Sequence, residues 1–222
     1  MLKQSLIICY STPNYKSLTD ILFSSLLVVN ISNIYYLLDE PTEDLMKNQG
    51  FQTDLWYYSV INKIKHLNSA LYNINNYKNK YFIFCDCDVW FLKNNINQWT
   101  NLQKYIDTND KDIYFMRENT SLDLNTGFII IKNNINITKI RLFFNEVYSV
   151  MIKETKNNMP LGDQTIINRL KHKINFGYIP NEYVIFGTNI FDKNKSLIHH
   201  AVCCSNIEDK IKQINFIKSK FD

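Results

Sequence analysis

The amino-acid sequence predicts an α/β fold with a mostly parallel central sheet and helices on both faces. Short apolar runs of strand length alternate along the chain with longer segments of helical periodicity. One run, Tyr81–Cys85, is continuously apolar, which is typical of a central strand covered on both faces. The 222 residues include only 5 Gly and 4 Pro. We therefore expect one globular domain, residues 1–222, without an internal linker.

The N-terminal half is predicted to contain three strands and two helices. The strands are expected at residues 5–10, 33–38 and 81–85. Ser17 precedes Asp20 by three residues, the pattern of a capping box, so the first helix is expected to begin there and to end near Asn30. A longer amphipathic helix is expected from about Leu55 to Tyr72.

The C-terminal half repeats this alternation after a polar, Asn-rich helical stretch. Strands are predicted at residues 112–116 and 126–131, and helices at residues 135–153 and 163–170. A short strand at residues 197–198 leads into the pair His199-His200. Ser205 and Glu208 form a second capping-box pattern, which predicts a last helix.

Charge and hydropathy exclude two classes of protein. The 25 Lys+Arg and 21 Asp+Glu give a net charge of +4, too small and dispersed for a dedicated nucleic-acid binder. No segment approaches the 18 or more apolar residues that span a bilayer, and the N-terminal apolar run is too short for a signal peptide. We therefore expect a cytoplasmic protein. The richness in Asn, Ile, Lys and Tyr is typical of AT-rich coding DNA, as in some bacteria, protists and large DNA viruses. For a protein of a large DNA virus, the location would be the host cytoplasm.

The five cysteines do not form the even set of a secreted disulfide framework, so reduced thiols are expected. Cys85 and Cys87 flank an aspartate, and Cys203 and Cys204 are adjacent. Neither pair has the C-x-x-C spacing of a zinc site, which favours a packing role over zinc binding.

Asp86 and Asp88 follow the central strand directly and predict a cation site. Two carboxylates at i and i+2 repel each other and are partly desolvated unless a cation lies between them. In open α/β sheets, ligands bind at the carboxyl ends of the strands, where this pair is expected to emerge. A solvated turn is the alternative, but the apolar residues on both sides of the pair disfavour a flexible polar loop.

The segment from Phe82 to Phe91 resembles the D-x-D region of nucleotide-diphospho-sugar transferases, the GT-A glycosyltransferases. In that family an apolar strand leads into D-x-D-V and further apolar residues. Three more segments occur in the order shown by glycogenin-like and lipopolysaccharide-galactosyltransferase-like members. They are the N-x-G strand at Asn125 and Gly127, the D-Q helix start at Asp163 and Gln164, and the closing H…K segment at His200 and Lys210.

The resemblance implies a Rossmann-like GT-A domain and a metal-dependent glycosyltransferase of the hexosyltransferase class. It would move a hexose-type sugar from a UDP-sugar to a hydroxyl of an unidentified glycan, protein or small-molecule acceptor. Retention of the anomeric configuration is favoured. Inversion would need a carboxylate base, for which Asp123, Asp163 and Glu182 are candidates.

By resemblance, Asp88 ligates the metal, Asp86 holds the metal or the ribose hydroxyls, and His200 supplies the third protein contact. Strand alternation allows only one ring of His199-His200 to face the metal, and His200 matches the H-A form of the family. Carboxylate, imidazole and phosphate ligands suit Mn²⁺, with Mg²⁺ or Co²⁺ as substitutes.

The resemblance also implies a set of donor-binding residues. Lys210 contacts the diphosphate, and Asn125 and Gly127 border the donor sugar. Asp163, which also suits a helix N-cap, binds the sugar hydroxyls, and Gln164 lies beside the anomeric carbon; these two are the candidate catalytic residues.

The nucleotide is expected to contact residues from the N-terminal half. A basic residue in the helix before the D-x-D strand contacts it in the resembling families, and Lys65 is preferred here over Lys63. Tyr10 and Ser11, at the end of the first strand, are expected to hold the base and ribose by stacking and hydrogen bonding.

Three other functions are compatible with parts of this pattern. A haloacid-dehalogenase-type phosphatase would use Asp86 as nucleophile, but about eighty residues precede the motif and Trp90 stands where that family has Thr or Val. A nucleotidyltransferase would need a Gly-rich, Arg-containing loop after the first strand, which is not found. A catalytically inactive protein that binds sugar nucleotides is the third alternative.

Overall fold

The computed structural model describes residues 2–47, 51–73, 78–92, 96–118, 121–204 and 206–221. Within them are nine strands: β1 Ser5–Ser11, β2 Ile34–Leu38, β3 Tyr81–Cys85, β4 Val89–Phe91, β5 Ile113–Arg117, β6 Leu124–Lys132, β7 Phe176–Tyr178, β8 Val184–Phe186 and β9 Ile198–His200. The same residues contain seven α-helices: α1 Lys16–Val28, α2 Glu43–Met46, α3 Asp54–Tyr72, α4 Ile96–Thr108, α5 Ile137–Lys156, α6 Asp163–Leu170 and α7 Ile207–Lys218.

Six strands form the central sheet in the order β2-β1-β3-β6-β5-β7. The pairs β2-β1, β1-β3 and β5-β7 are parallel, and β6 runs antiparallel to both of its neighbours. The predicted mostly parallel sheet is therefore confirmed. It explains why the residues after β1, β3 and β5 meet at one edge of the sheet.

Helices cover both faces of the sheet, as predicted. Alternate residues of the central strands pack against α1 and α4 on one face, and against α3, α5 and α6 on the other. Strand β3 is fully buried along its whole length, so its continuous apolar run does belong to a doubly covered central strand. These two apolar layers hold the carboxyl end of β3 in one position.

A small second sheet has the order β4-β9-β8, and its short strands were not predicted as a unit. Strand β4 pairs antiparallel with β9, so that Val89 lies opposite His200. The backbone N–H of Ala201 also donates to the carbonyl oxygen of Asp88, at 3.0 Å. This pairing brings the end of the chain to the D-x-D turn.

Three predicted N-caps differ from the structure, although the predicted bounds of the helix at residues 163–170 are confirmed. Ser17 lies in the first turn of α1 rather than at its N-cap, because the fixed φ of Pro13 begins a short 3-10 turn, Pro13–Tyr15, that continues directly into the helix. Asp163 is the first residue of α6, and Gly162 is the N-cap. Asn206 caps α7 by accepting from the N–H of Asp209 at 2.8 Å. Ser205 lies outside the described residues.

All five cysteines are free. Among the described residues, no helix combines the length and the apolar character that crossing a bilayer requires.

Truncation of Ile83 should destabilise the fold strongly. Ile83 is fully buried in the middle of β3, so Ile83→Ala is expected to cost about 2–5 kcal/mol of unfolding free energy and Ile83→Val about 0.5–1.5 kcal/mol. Urea denaturation measures both values. Ile190→Ala is the control, since Ile190 is fully exposed, and it should change stability by less than about 0.5 kcal/mol. Equal effects at the two positions would contradict the burial of β3.

Candidate active site

The D-x-D turn connects β3 of the large sheet to β4 of the small one. The N–H of Asp86 donates to the carbonyl oxygen of Gly127 on β6 at 2.8 Å, which extends the β3–β6 pairing by one step. The N–H of Val89 then donates to the carbonyl oxygen of Asp86 at 3.2 Å, closing a tight turn. Both carboxylates therefore project from a rigid segment at the carboxyl edge of the sheet.

Asp88 is buried between two cationic or basic side chains. Its Oδ2 forms a close ion pair with the ammonium of Lys210 on α7, and its Oδ1 lies 3.2 Å from Nε2 of His200 on β9. Burial alone would raise the pKa of Asp88, but the charge of Lys210 and the interaction with His200 outweigh it and hold the pKa well below its ordinary value. Asp88 is therefore an anion at neutral pH.

Asp86 shares a buried lysine with Asp163. The Nζ of Lys63 lies 2.9 Å from Oδ1 of Asp86 and 2.8 Å from Oδ2 of Asp163. Burial would lower the pKa of Lys63, but Asp163 and Asp86 together hold it above its ordinary value. Burial also raises the pKa of Asp86, against the opposing charge of Lys63. One ammonium group is thus shared by two carboxylates, those of Asp86 and Asp163.

Asp86, Asp88 and His200 form a group that fits a metal ion. Each offers one ligand atom, and these atoms lie within 4.8 Å of one another. Asp88 Oδ1 and His200 Nδ1 are buried and have no hydrogen-bond partner. Two carboxylates and an imidazole are suitable ligands for Mn²⁺ and similar divalent ions. Asp88 Oδ1 therefore has lone pairs that no hydrogen bond of the described residues uses.

Gly127 makes room for the ring of His200. A Cβ at position 127 would lie 2.2 Å from Cε1 of His200, so no side chain fits there without moving the imidazole. His199 has the opposite orientation, as strand alternation requires. It is fully buried, its Nε2 lies 3.0 Å from the carbonyl oxygen of Gly187, and burial lowers its pKa to about 4. The structure therefore brings His200, and not His199, to Asp88.

Asp163 and Gln164 lie beside β6 at the start of α6. Oδ2 of Asp163 accepts a hydrogen bond from the hydroxyl of Thr126 at 2.9 Å, in addition to its ion pair with Lys63. Oε1 of Gln164 accepts from the N–H of Thr126 at 3.4 Å, and its Nε2 donates to Glu118 at 2.9 Å. These contacts, and not helix capping, hold the Asp163 side chain.

The side-chain amide of Asn125 is also held by hydrogen bonds at both of its ends. Its Nδ2 donates to Oε2 of Glu118 at 2.7 Å, and its Oδ1 accepts from the N–H of Gly127 at 2.9 Å. Glu118 thus connects the N-x-G and D-Q segments.

A cavity of about 130 Å³ opens beside the acidic cluster. Its lining includes Tyr10, Ser11, Lys63, Asp86, Asp88 and Lys210. The hydroxyl of Tyr10 donates to Asp39 at 3.0 Å, and Tyr58 donates to the same oxygen at 3.0 Å. The end of β1 and the charged cluster therefore face one shared space.

Comparison with known proteins identifies the family. The sequence model of a family described as nucleotide-diphospho-sugar transferase matches residues 25–214, which is most of the chain. The chain belongs to the nucleotide-diphospho-sugar transferase family. It is a glycosyltransferase, as its motifs predict.

Solved structures show that this transferase has the expected GT-A fold. A glycosyltransferase involved in glycosylation of the major capsid of PBCV-1 is similar with a TM-score of 0.60 and 15% identity, covering 94% of this chain and 99% of that one. The galactosyltransferase LgtC, solved with donor and acceptor sugar analogs, is similar with a TM-score of 0.51 and 13% identity, covering 95% and 96% of the two chains.

One curated relative matches a smaller part of the transferase. It is a bifunctional methyltransferase-like/endonuclease of Nanoarchaeum equitans, 36% identical over 81 residues. The match covers 32% of this chain and 27% of that protein. The transferase thus spans about a quarter of the length of this relative.

The structure brings most of the predicted residues of the transferase together but not Lys65. Lys65 is exposed on α3, whereas Lys63 is buried against Asp86 and Asp163, so the structure places Lys63 rather than Lys65 beside these carboxylates. Helical spacing could have indicated that Lys63 faces the core. Lys63 lies three residues after Val60 and four before Leu67, and both of these residues are on the buried face of α3.

The carboxylate of Glu118 was also missed. It directly follows β5, at the same edge of the sheet as Asp86, and this position is the only sequence signal for it.

Removal of the Lys63 charge should destabilise the transferase. Lys63→Met leaves Asp86 and Asp163 without their shared ammonium, and breaking a buried ion pair costs about 3–5 kcal/mol. Lys65→Met, two residues away on the exposed face of α3, is the matched control and should change the unfolding free energy by less than about 0.5 kcal/mol. Urea denaturation compares the two variants, and equal stabilities would contradict the buried position of Lys63.

Proposed function

We propose that this transferase moves a hexose-type sugar from a UDP-sugar to an acceptor hydroxyl, uses Mn²⁺, and retains the anomeric configuration. The observation that carries the proposal is the convergence of Asp86, Asp88 and His200. Asp86 and Asp88 also line a cavity together with Lys63 and Lys210. Metal ligands and cations beside one cavity suit a ligand with a diphosphate.

Asp86, Asp88 and His200 would hold the divalent cation, with Mg²⁺ or Co²⁺ as substitutes. The bound cation supplies a Lewis acid that neutralises the departing nucleoside diphosphate. Lys210 and His200 hold the pKa of Asp88 below its ordinary value, so Asp88 would already be an anion when the cation binds.

Lys210 would contact the diphosphate. Its ammonium is anchored on Asp88 and lines the cavity, and its pKa is raised above the ordinary value because Asp88 outweighs the effect of burial. A lysine of this kind is a fixed positive charge, which stabilises the negative charge that develops as the glycosidic bond to phosphate breaks.

The donor sugar would lie among Lys63, Asp163, Asn125 and Gly127, with Gln164 beside the anomeric carbon. Asp163 keeps free acceptor capacity besides its contacts with Lys63 and Thr126, because an ionised carboxylate has about four lone-pair sites. Tyr10 and Ser11 would hold the base and ribose at the other side of the cavity.

Contacts of the candidate bases support retention. Asp163 is already held by the ammonium of Lys63 and the hydroxyl of Thr126. The side chains of Asp123 and Glu182 are largely exposed, at 63% and 48%, and each lies near a lysine. With none of these three carboxylates acting as the base, the departing phosphate oxygen would take the proton of the acceptor hydroxyl as the hydroxyl attacks from the same face.

A thermal-shift panel of UDP and UDP-sugars tests ligand class and metal need together. UDP with Mn²⁺ at about 100 times the dissociation constant should stabilise the protein by about 2.7 kcal/mol, or about 5–10 °C in Tm. UDP with EDTA should shift Tm less. Equal shifts would contradict metal-assisted binding, and binding without turnover of any UDP-sugar would favour the catalytically inactive alternative.

Asp88→Asn should abolish the Mn²⁺-dependent part of this shift, because the amide has the shape of the carboxylate but no charge. Asp110→Asn is the control, since the Asp110 side chain is 84% exposed. It should keep the full shift and the full UDP-sugar hydrolysis. If Asp88→Asn also kept both, Asp88 would not be a metal ligand.

A further inference from the structure

Glu118 accepts hydrogen bonds from two side-chain amides that belong to different motifs. Its Oε2 lies 2.7 Å from Nδ2 of Asn125 and 2.9 Å from Nε2 of Gln164. The two amides are 39 positions apart in the chain, one on β6 and the other in the first turn of α6. A single carboxylate oxygen therefore links the two segments expected to border the donor sugar.

The opposite end of each amide is fixed by the backbone of β6. Oδ1 of Asn125 accepts from the N–H of Gly127 at 2.9 Å, and Oε1 of Gln164 accepts from the N–H of Thr126 at 3.4 Å. An ionised carboxylate only accepts and a backbone N–H only donates. Each amide thus has a single orientation in which both ends are satisfied, with its NH₂ toward Glu118.

The position of Glu118 is itself set by the chain around it. Its N–H donates to the carbonyl oxygen of Asp123 at 2.9 Å, and its carbonyl oxygen accepts from the N–H of Ser121 at 3.0 Å. It directly follows β5, whose residues Ile113 to Met116 are fully buried. Two backbone hydrogen bonds and the buried strand before it therefore fix the position of Glu118.

We propose that Glu118 is a positioning residue of this transferase, which orients the amides of Asn125 and Gln164 toward the donor sugar. Each NH₂ group has two N–H donors, and Glu118 uses one of them. The second N–H of each amide remains available for a sugar hydroxyl. Glu118 thereby determines which group, donor or acceptor, each amide presents to the sugar. The inference rests on the proposed function of the site.

Glu118→Gln tests this role because it keeps the shape of the side chain but can both donate and accept. The amides of Asn125 and Gln164 would then lose their enforced orientation. We expect the donor KM to rise and kcat to fall, with kcat/KM for UDP-sugar hydrolysis about tenfold lower. The inhibition constant of UDP should stay within twofold of wild type, because UDP lacks the sugar.

Two controls separate positioning from loss of stability. Glu146→Gln makes the same chemical change on α5, at a residue paired with Lys173, and should leave both kinetic values unchanged. In a protein that already carries Asn125→Ala and Gln164→Ala, the Glu118→Gln substitution should add less than a twofold effect, since its targets are absent. An additive tenfold loss, or an equal weakening of UDP, would overturn the proposal.

A measurement without substrate keeps this inference distinct from the proposed function. In the ligand-free protein, ¹H–¹⁵N NMR spectra should show that Glu118→Gln shifts the side-chain NH₂ resonances of Asn125 and Gln164, whereas Glu146→Gln does not. Unmoved resonances would refute the orienting role. Shifted resonances in a protein that turns over no UDP-sugar would support the orienting role and contradict the proposed function.

Discussion

The structure depends on two carboxylates held at the end of a buried strand. Asp86 and Asp88 cannot move away from each other, because β3 is packed on both faces and β4 begins immediately after them. Burial makes their charges costly, so the surrounding chain supplies Lys63, Lys210 and His200. The small second sheet and α7 bring two of these three partners from the C-terminal region.

Two groups of polar side chains lie next to each other at the carboxyl edge of the sheet. At the D-x-D turn, Asp86, Asp88 and His200 form the group that fits a cation, and the ammonium of Lys210 lies beside them. In the second group, Lys63 connects Asp86 to Asp163, and the polar residues of β6 and α6 follow. A nucleotide sugar has the same order of parts, with a charged diphosphate next to a polar, uncharged ring.

Local patterns in the sequence predicted the features that depend on neighbouring residues. Examples are the buried central strand at Tyr81–Cys85 and the opposite orientations of the His199 and His200 rings. Features that depend on residues distant in the chain could not be predicted from local patterns. The three-residue strands β4, β7 and β8 exist through pairing with remote segments, and Glu118 is defined by contacts 7 and 46 positions away. Asp163 looked like a cap because its partner on α3 is visible only in three dimensions.

Anomalous diffraction from a crystal soaked with Mn²⁺ and UDP tests the central claim most directly. The account predicts one manganese peak bonded to Asp86, Asp88 and His200 and to the diphosphate of the nucleotide, with Lys210 in contact with phosphate oxygen. A nucleotide bound elsewhere, or a diphosphate held by lysines alone with no manganese between the two aspartates, would contradict it.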